Sequence, residues 1–581
     1  MKSKFITNIH LLIPVLLAIC FVVICIKSVE YKSNTRDESR HLVRGIMLLE
    51  TGDFRLNKHH PPLANVIAAI PYKFNDSIVI PDTESSLWQR ANKDGMATHL
   101  VEINGGKRPF VFDILNPSRV MLTVTVALAS LIMAILVFTE YGPKVGTIFS
   151  LLYFLSPNII ANSRLVTTDA LIVPLGFLAT FALYKYFQSP DYKRLAIFTL
   201  LSFCSLITKF SIIPIAALWI ILLFVFTYTR LHKAVKQHRF KTLLKSLGVP
   251  LLVSVTWVLL LTASFGFKFD TLASTNHADT ARTTTHLGNI ADITQGVPRL
   301  TRYAQKVYLD TKLPFPEYLQ GFFENVLLHD RYGHDSYLFG QYDKKGWWYF
   351  FPATMAIKMP IPALIGIMGL VVASAVVPYQ YFKLPPSKRK KFRDKFFRFR
   401  PQYIFVIVPL FYFLISMKSS INLGIRHILI IFPFLYLGMA LLSKNQLYNR
   451  LLGKIALVVL CMWYVVSSFS IFPHYLQYFN EFVGGPQNGY KYLLDSNLTW
   501  AQDDFYVEDW IENYKGELPV YRNPHEEVEE GIVVIDVDRL MGRSEVDRFR
   551  CAWIREPFLK GDIYPIDRIN YTYMVFEIMP D

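Results

Sequence analysis

Two polar clusters after the first apolar run of this chain carry side chains suited to chemistry. Residues 35–41 read Thr-Arg-Asp-Glu-Ser-Arg-His, and residues 52–63 combine a Gly-Asp turn with a His-His-Pro-Pro-Leu sequence. Asp37 precedes an amphipathic stretch that ends at Gly52, so the pattern predicts Asp37 at a helix N-terminus. A carboxylate there could act as a general base. It could also only cap the helix, whose dipole favours the ionised form.

The adjacent histidines His59 and His60 raise the question of a zinc site. Neighbouring residues project in different directions, and no third ligand stands at a suitable spacing. Four of the five cysteines lie inside apolar runs, and none shows the paired spacing of a zinc or redox motif. The sequence therefore predicts no metal and no other cofactor.

Composition indicates that the elements positioning these residues lie in a membrane. Hydrophobic residues make up 52% of the 581 and charged residues 18%, whereas soluble domains carry about 25% charged residues. The net charge of +16 comes from Lys and Arg in short segments between apolar runs, which is typical of membrane topology signals. We therefore expect contact with membrane lipid and no binding to nucleic acid.

A hydrocarbon core of about 30 Å needs about 20 apolar residues per helix, and this criterion yields eleven candidate spans. They lie near residues 9–26, 120–139, 145–161, 169–187, 195–209, 211–229, 246–267, 360–381, 403–417, 426–442 and 455–473. The apolar stretch Leu195–Tyr228 is too long for one simple helix and short for two. Counting two spans there places every basic loop on one side, as the positive-inside rule requires.

This topology places the N-terminus in the cytoplasm and the C-terminus outside it, in a plasma (inner) membrane. The basic segments then on the cytoplasmic side are Lys2/Lys4, Lys185 to Arg194, Arg230 to Lys245, Lys383 to Arg400 and Lys444 to Lys454. Extracytoplasmic loops cover about 28–118 and 268–350 of a membrane domain, 1–473. A C-terminal segment, 474–581, has strand-like stretches near 531–538 and 571–578, which predict a small α/β module.

Several further polar segments accompany the two clusters. They are Asn162–Ala170 with a Thr-Asp pair, Thr208-Lys209-Phe210, Lys345–Pro352 followed by Lys358, Asn422–His427 and Asp495–Asp503. Together these segments resemble the membrane glycosyltransferases of the protein O-mannosyltransferase and aminoarabinose transferase superfamily, which have the GT-C fold. The resemblance covers about residues 30–505. Bacterial members usually carry Asp-Ser-Asn-Leu-Asp-Trp-Gly-Gln-Asp at the last segment, from which Thr499 and Ala501 depart.

The resemblance implies an all-α polytopic GT-C protein that transfers a sugar from an undecaprenyl- or dolichyl-phosphate carrier to an acceptor hydroxyl outside the cytoplasm. Asp37 matches the catalytic aspartate of the family and would be the general base. The carrier phosphate needs cations, and the candidates are Lys209, Arg426, His427 and Lys358. The remaining candidates, for the acceptor or the sugar, are Glu38, His60 and Asp169.

Simpler explanations stand beside these assignments. Lys209 could extend its ammonium to the membrane surface, Asp169 could cap a helix, and the aromatic cluster Trp347–Phe351 fits an interfacial belt. At the level of function, the alternatives are a transporter or flippase of lipid-linked saccharides and a non-catalytic assembly subunit. Transporters usually show repeat halves or acidic residues within their spans, and this sequence has neither.

Overall fold

The structure is a computed structural model that describes residues 2–234, 239–277, 279–295, 297–385, 387–389 and 400–580. The chain forms two compact units, each assembled from separate stretches of sequence. Unit 1 comprises Met1–Thr35, Thr123–Leu165 and Gly333–Asp581, and unit 2 comprises Arg36–Leu122 and Val166–Tyr332.

The described residues of unit 2 are mainly helical and include one short antiparallel pair, Phe269–Asp270 with Leu313–Pro314. Its α-helices are Glu38–Thr51, Leu63–Ala69, Ser86–Gln89, Lys93–Ile103, Lys107–Pro109, Asp169–Gln188, Tyr192–Leu206, Ile213–Ala234, Arg239–Ser246, Gly248–Ser264, Thr280–Ile293, Pro298–Asp310, Pro316–Phe322 and His329–Tyr332. Two π-helical turns, Phe110–Leu115 and Phe323–Leu328, and three 3₁₀ turns, Ile70–Phe74, Phe210–Ile212 and Ala273–Asn276, complete it. Side-chain caps mark several starts, since Asn92 accepts from the Gly95 N–H and Asp279 from that of Arg282.

Unit 1 contains long apolar helices followed by the C-terminal module. Its α-helices are Lys2–Val29, Asn116–Tyr141 (which begins in unit 2), Pro143–Phe154, Pro157–Ser163, Phe350–Lys358, Ile361–Lys383, Ile404–Ser416, Phe432–Leu442, Leu451–Phe469, Asp504–Asn513, Val537–Leu540, Glu545–Arg550 and Ala552–Lys560. Its 3₁₀ turns are Pro401–Tyr403, Ile425–Ile431, Gln446–Asn449, Tyr475–Gln477, Glu481–Val483, Pro486–Lys491 and Asp495–Asn497. A short hairpin pairs Ser336–Leu338 with Gln341–Asp343.

The C-terminal module is built on a four-stranded sheet, which confirms the predicted α/β character of the tail. The strands lie in the order Val520–Arg522, Gly531–Asp536, Tyr573–Ile578 and Asp567–Ile569. The first pair is parallel and the other two pairs are antiparallel. Gly531–Asp536 is buried along its whole length, as its run of Ile and Val predicts.

The described residues contain seven helices long and apolar enough to cross a membrane, or eight if one bent pair counts as a single span. The seven are His10–Val29, Lys107–Tyr141, Asp169–Gln188, Phe210–His232, Thr242–Ser264, Ile425–Leu442 and Leu451–Phe469, and the bent pair is Pro143–Phe154 with Pro157–Ser163. The other three predicted spans are helical but shorter in their apolar part, at Tyr192–Leu206, Ile361–Val376 and Pro401–Ser416. Each of the eleven predicted spans is thus a helix or a bent helix pair, seven or eight of which meet the length and composition criterion, and the membrane-embedded helical character is confirmed.

The ambiguous stretch Leu195–Tyr228 is divided between two helices, as the charge distribution predicted. The first helix ends at Leu206, and the second begins at Ile213 after the short 3₁₀ turn. Pro214 lies in the first turn of the second helix, where its missing N–H is not needed. The break leaves Lys209 with an extended backbone, at φ −155° and ψ 136°.

Candidate functional site

Unit 2 contains a cleft of about 460 Å³ beside the start of the helix Glu38–Thr51. The lining residues come from the start of this helix, the segment after it, the helix Lys93–Ile103 and residues 289–332: Asp37, Arg40, His41, Arg44, His59, His60, Lys93, Asn289, Glu324, Asn325, Leu328 and Tyr332. The predicted residues Asp37 and His60 therefore lie in one cleft. Spacing could have identified their neighbours, because positions 37, 40, 41 and 44 share one face of a helix.

Asp37 directly precedes the helix, as predicted, yet it does not behave as a cap. Among the described residues, its side chain accepts no capping hydrogen bond. One carboxylate oxygen lies 3.0 Å from Nη1 of Arg40, and the carboxylate is 27% exposed. Arg40 is itself held by Asp94, at 2.5 Å from Nε. The base candidate is therefore fixed by a cation and remains accessible.

The three cleft histidines are neutral at pH 7. Burial, together with the nearby Arg44, lowers the pKa of His41 to about 4. Burial also brings the pKa values of His59 and His60 well below the usual range, with smaller effects from neighbouring cations. His41 Nδ1 lies 2.8 Å from Oδ1 of Asn65. Neutral imidazoles can exchange hydrogen bonds with hydroxyl groups but add no charge to the cleft.

Arginine and lysine carry the positive charge of the cleft. Arg44 is 3% exposed, and its Nε has no hydrogen-bond partner among the described residues. Burial lowers the pKa of Arg44 to about 10 and that of Lys93 to about 8, so both are mainly protonated at pH 7. On the acidic side, Glu324 already accepts from Arg282, with 2.7 Å between Oε2 and Nη2. The cleft is therefore suited to an anion near Asp37.

Glu38 lies outside the cleft lining and anchors the start of the helix. Its side chain is fully buried, and its two oxygens lie 2.8 Å and 2.6 Å from Nε and Nη2 of Arg119. The backbone N–H of Val166 donates to the same carboxylate at 2.9 Å. This bidentate, charge-assisted arrangement fixes the position of the residue next to Asp37.

Lys209 and Asp169, predicted separately, form one buried ion pair. Asp169 is the first residue of the helix Asp169–Gln188, for which Thr168 holds the cap position. The ammonium of Lys209 reaches this carboxylate from the helix break, and both side chains are nearly inaccessible to solvent. These contacts do not support the explanation that Lys209 extends to the membrane surface.

The other three predicted phosphate ligands belong to unit 1. Lys358 is buried and its Nζ donates to the carbonyl oxygens of Leu476 and Asn497, at 2.9 Å and 2.6 Å. The guanidinium of Arg426 lies 4.3 Å from the ring centre of Trp500. The His427 carbonyl accepts from the Tyr412 hydroxyl.

The segment Asp495–Asp503 connects the C-terminal module to the rest of unit 1. Asp503 is buried, forms an ion pair with Lys32, and accepts from Gln477 at 2.6 Å and Thr572 at 2.8 Å. Thr499, one of the two departures from the family pattern, donates to Asp536 at 2.7 Å. These contacts show that the segment has a structural role, because it holds elements of unit 1 together.

Within the described ranges, no group of three or more His, Cys, Asp and Glu side chains is placed to hold a metal ion. That the reaction needs no metal stays a prediction.

No known family model matches this chain, and no curated protein is similar to it in sequence. Two crystal structures of ArnT from Cupriavidus metallidurans are similar to it over 97% of both chains. The structure bound to undecaprenyl phosphate is 10% identical to this chain, with a TM-score of 0.41. The apo structure is 12% identical, with a TM-score of 0.27.

Proposed function

We propose that this chain is a GT-C glycosyltransferase that moves a sugar from a polyprenyl-phosphate carrier to an acceptor hydroxyl, with Asp37 as the general base. The observation that carries the proposal is the cleft in unit 2. It holds an accessible carboxylate beside Arg40 and a buried, under-bonded Arg44. Glycosyl transfer from a phosphate needs these two functions, a base for the acceptor and a cation for the leaving group.

In the proposed reaction, the acceptor oxygen attacks the anomeric carbon and displaces the carrier phosphate. The C–O bond to the phosphate breaks as the new glycosidic bond forms, which inverts the anomeric centre. The acceptor proton passes to Asp37, and positioned base catalysis contributes about 10²–10⁴-fold. Neutral His60 is proposed to hydrogen-bond to a hydroxyl of the sugar or the acceptor.

The departing carrier phosphate needs charge compensation, for which Arg44 is the main proposed ligand. A guanidinium binds phosphate through two parallel hydrogen bonds. Arg44 lines the cleft, and its buried Nε has no hydrogen-bond partner among the described residues. Lys93 adds charge to the same cleft. That Lys358, Arg426 and His427 bind the carrier phosphate stays a prediction from the sequence.

Three predicted site residues already form buried ion pairs, so we propose that they position other groups and do not contact the substrates. Glu38 has both oxygens engaged by Arg119, so we assign it to holding Asp37 in place. Asp169 and Lys209 engage each other, and we assign that pair to fixing the helix break. Direct contact with the acceptor or the phosphate is therefore assigned to other residues in this proposal.

Arg44→Ala is expected to lower kcat/KM for the donor by about 10- to 150-fold. The reason is the loss of a charge-assisted hydrogen bond to phosphate, worth about 1.5–3 kcal/mol. Arg44→Lys should recover part of the loss, because it restores charge without the planar fork. Steady-state kinetics with the purified protein measure both, with the exposed Arg90→Ala as matched control. Unchanged donor use in Arg44→Ala would remove this residue from the phosphate site.

The proposal also requires the cleft to face the extracytoplasmic side. In a cysteine-free background, a cysteine at the exposed position Asp76 should react with a membrane-impermeant thiol reagent in intact cells. A cysteine at exposed Lys193 should react only after permeabilisation, because the basic loops are predicted to be cytoplasmic. The basic stretch Arg230–Lys245 is less suitable because residues 235–238, including Lys236, lie outside the described residues. The reverse labelling pattern would contradict the topology.

A further inference from the structure

The C-terminal module of unit 1 carries a second concavity, which shares no residue with the cleft of unit 2. This module groove has a volume of about 610 Å³, within the usual range of small-molecule sites, about 300–1,000 Å³. It lies along the end of the helix Asp504–Asn513 and beside the edge strand Asp567–Ile569. Its main lining residues are Tyr506, Trp510, Asn513, Tyr514, Lys515 and Arg568.

Aromatic rings form a fixed wall of the groove. Trp510 and Tyr514 are nearly parallel, with ring centres 5.6 Å apart and an interplanar angle of 19°. Both are half-buried and pack on the apolar core of the module, which includes Val507. The indole N–H of Trp510 donates to Asp567 at 2.8 Å. The rings are therefore held in place while part of their surface lines the groove.

Polar side chains with different hydrogen-bonding capacities surround this wall. Asn513 and Lys515 are exposed, and Asn570 is half-buried. The Arg568 guanidinium is exposed and donates to the carbonyl of Gln487 at 3.1 Å. A pyranose ring has an apolar C–H face and a periphery of hydroxyl groups, so an aromatic face with amide and cationic donors matches both parts.

We propose that the module groove binds a saccharide, whose ring stacks on Trp510 while its hydroxyl groups bond to Asn513 and Lys515. A site of this kind would bind a glycan to the module, whatever chemistry takes place in unit 2. The proposal stands on the groove alone and does not rest on Asp37 or on the polyprenyl-phosphate donor.

Binding can be measured directly on the full chain, purified in lauryldimethylamine oxide. Maltoside detergents are unsuitable because their sugar headgroups would compete for the groove. The probes are maltohexaose, mannohexaose and chitohexaose. Saturation-transfer NMR detects their binding, and calorimetry measures the Kd. At least one probe should bind with a Kd of about 1 mM or tighter, and Trp510→Ala should weaken it roughly tenfold or more.

Two further sets of variants separate binding from folding. Trp510 packs on the module core, so the exposed rim changes Asn513→Ala and Lys515→Ala test the same groove with the core intact. Together they should weaken binding several-fold. Tyr564→Ala, at a tyrosine 73% exposed outside the groove, should leave binding unchanged.

Failure of all three probes to bind at about 1 mM would overturn the saccharide site. Binding that is equally tight in the Asn513→Ala/Lys515→Ala double variant would do the same, because the sugar would then occupy another surface.

Discussion

Replacing Asp37 with asparagine is expected to abolish sugar transfer while leaving the protein folded. The amide keeps the size of the side chain and one acceptor oxygen, but it cannot take the acceptor proton. Loss of a base that contributes about 10²–10⁴-fold corresponds to about 3–5 kcal/mol in the barrier. The Asp37–Arg40 pair is partly exposed, so its loss should change stability by less than about 1 kcal/mol.

The helix-capping explanation predicts a different outcome for the same variant. Asparagine is as good a cap as aspartate, and a lost helix-dipole contact costs only about 0.3–1 kcal/mol. An Asp37→Asn protein with nearly full activity would therefore remove the catalytic assignment. Transfer is measured with polyprenyl-phosphate sugar on protein of equal thermal stability, with exposed Asp76→Asn as the matched control. Inhibition of the wild type by EDTA would contradict a metal-free mechanism.

Glu38→Ala is expected to lower the free energy of unfolding by about 3–5 kcal/mol. The substitution removes the carboxylate that binds the buried, charged guanidinium of Arg119 through two hydrogen bonds. Removing one partner of a buried ion pair costs more than most single truncations. The backbone N–H of Val166 also loses its acceptor. Thermal unfolding in detergent measures the effect, and activity should fall as well because the start of the Asp37 helix is no longer fixed.

The matched control is Glu84→Ala, an exposed glutamate in the same unit, which should change stability by no more than about 0.5 kcal/mol. Replacing both partners, as Glu38→Leu with Arg119→Leu, should recover much of the loss, because it removes the uncompensated charge. Equal melting temperatures for Glu38→Ala and Glu84→Ala would show that the pair does not anchor the helix.

Local patterns in the sequence predicted much of this architecture. The amphipathic stretch after Asp37 is the helix Glu38–Thr51, and Gly52 follows it with the left-handed backbone that favours glycine. The Ile and Val run at 531–536 is a fully buried strand. Both elements could be predicted from a few neighbouring residues, because hydrophobic periodicity and turn preferences are local properties of the sequence.

Contacts between distant parts of the chain could not be predicted in this way. Asn289, Glu324 and Tyr332 line the cleft from helical turns more than two hundred residues after Asp37, and no local pattern predicts that contact. Asp169 and Lys209 were each recognised as unusual, but their pairing depends on how two helices pack. Hydropathy located the apolar helices, but it does not show where each helix ends, so three of the eleven predicted spans are shorter in their apolar part than expected.

The central claim is that this chain breaks the bond between a sugar and a polyprenyl phosphate. The most direct test is to reconstitute the purified protein in vesicles with lipid-linked sugars and membrane acceptors extracted from the source cells, and to follow the lipids by mass spectrometry. The proposal predicts that free polyprenyl phosphate appears in step with glycosylated acceptor, and that neither appears with Asp37→Asn. Intact lipid-linked sugar that moves to the other leaflet with no release of polyprenyl phosphate would contradict it and would favour a flippase.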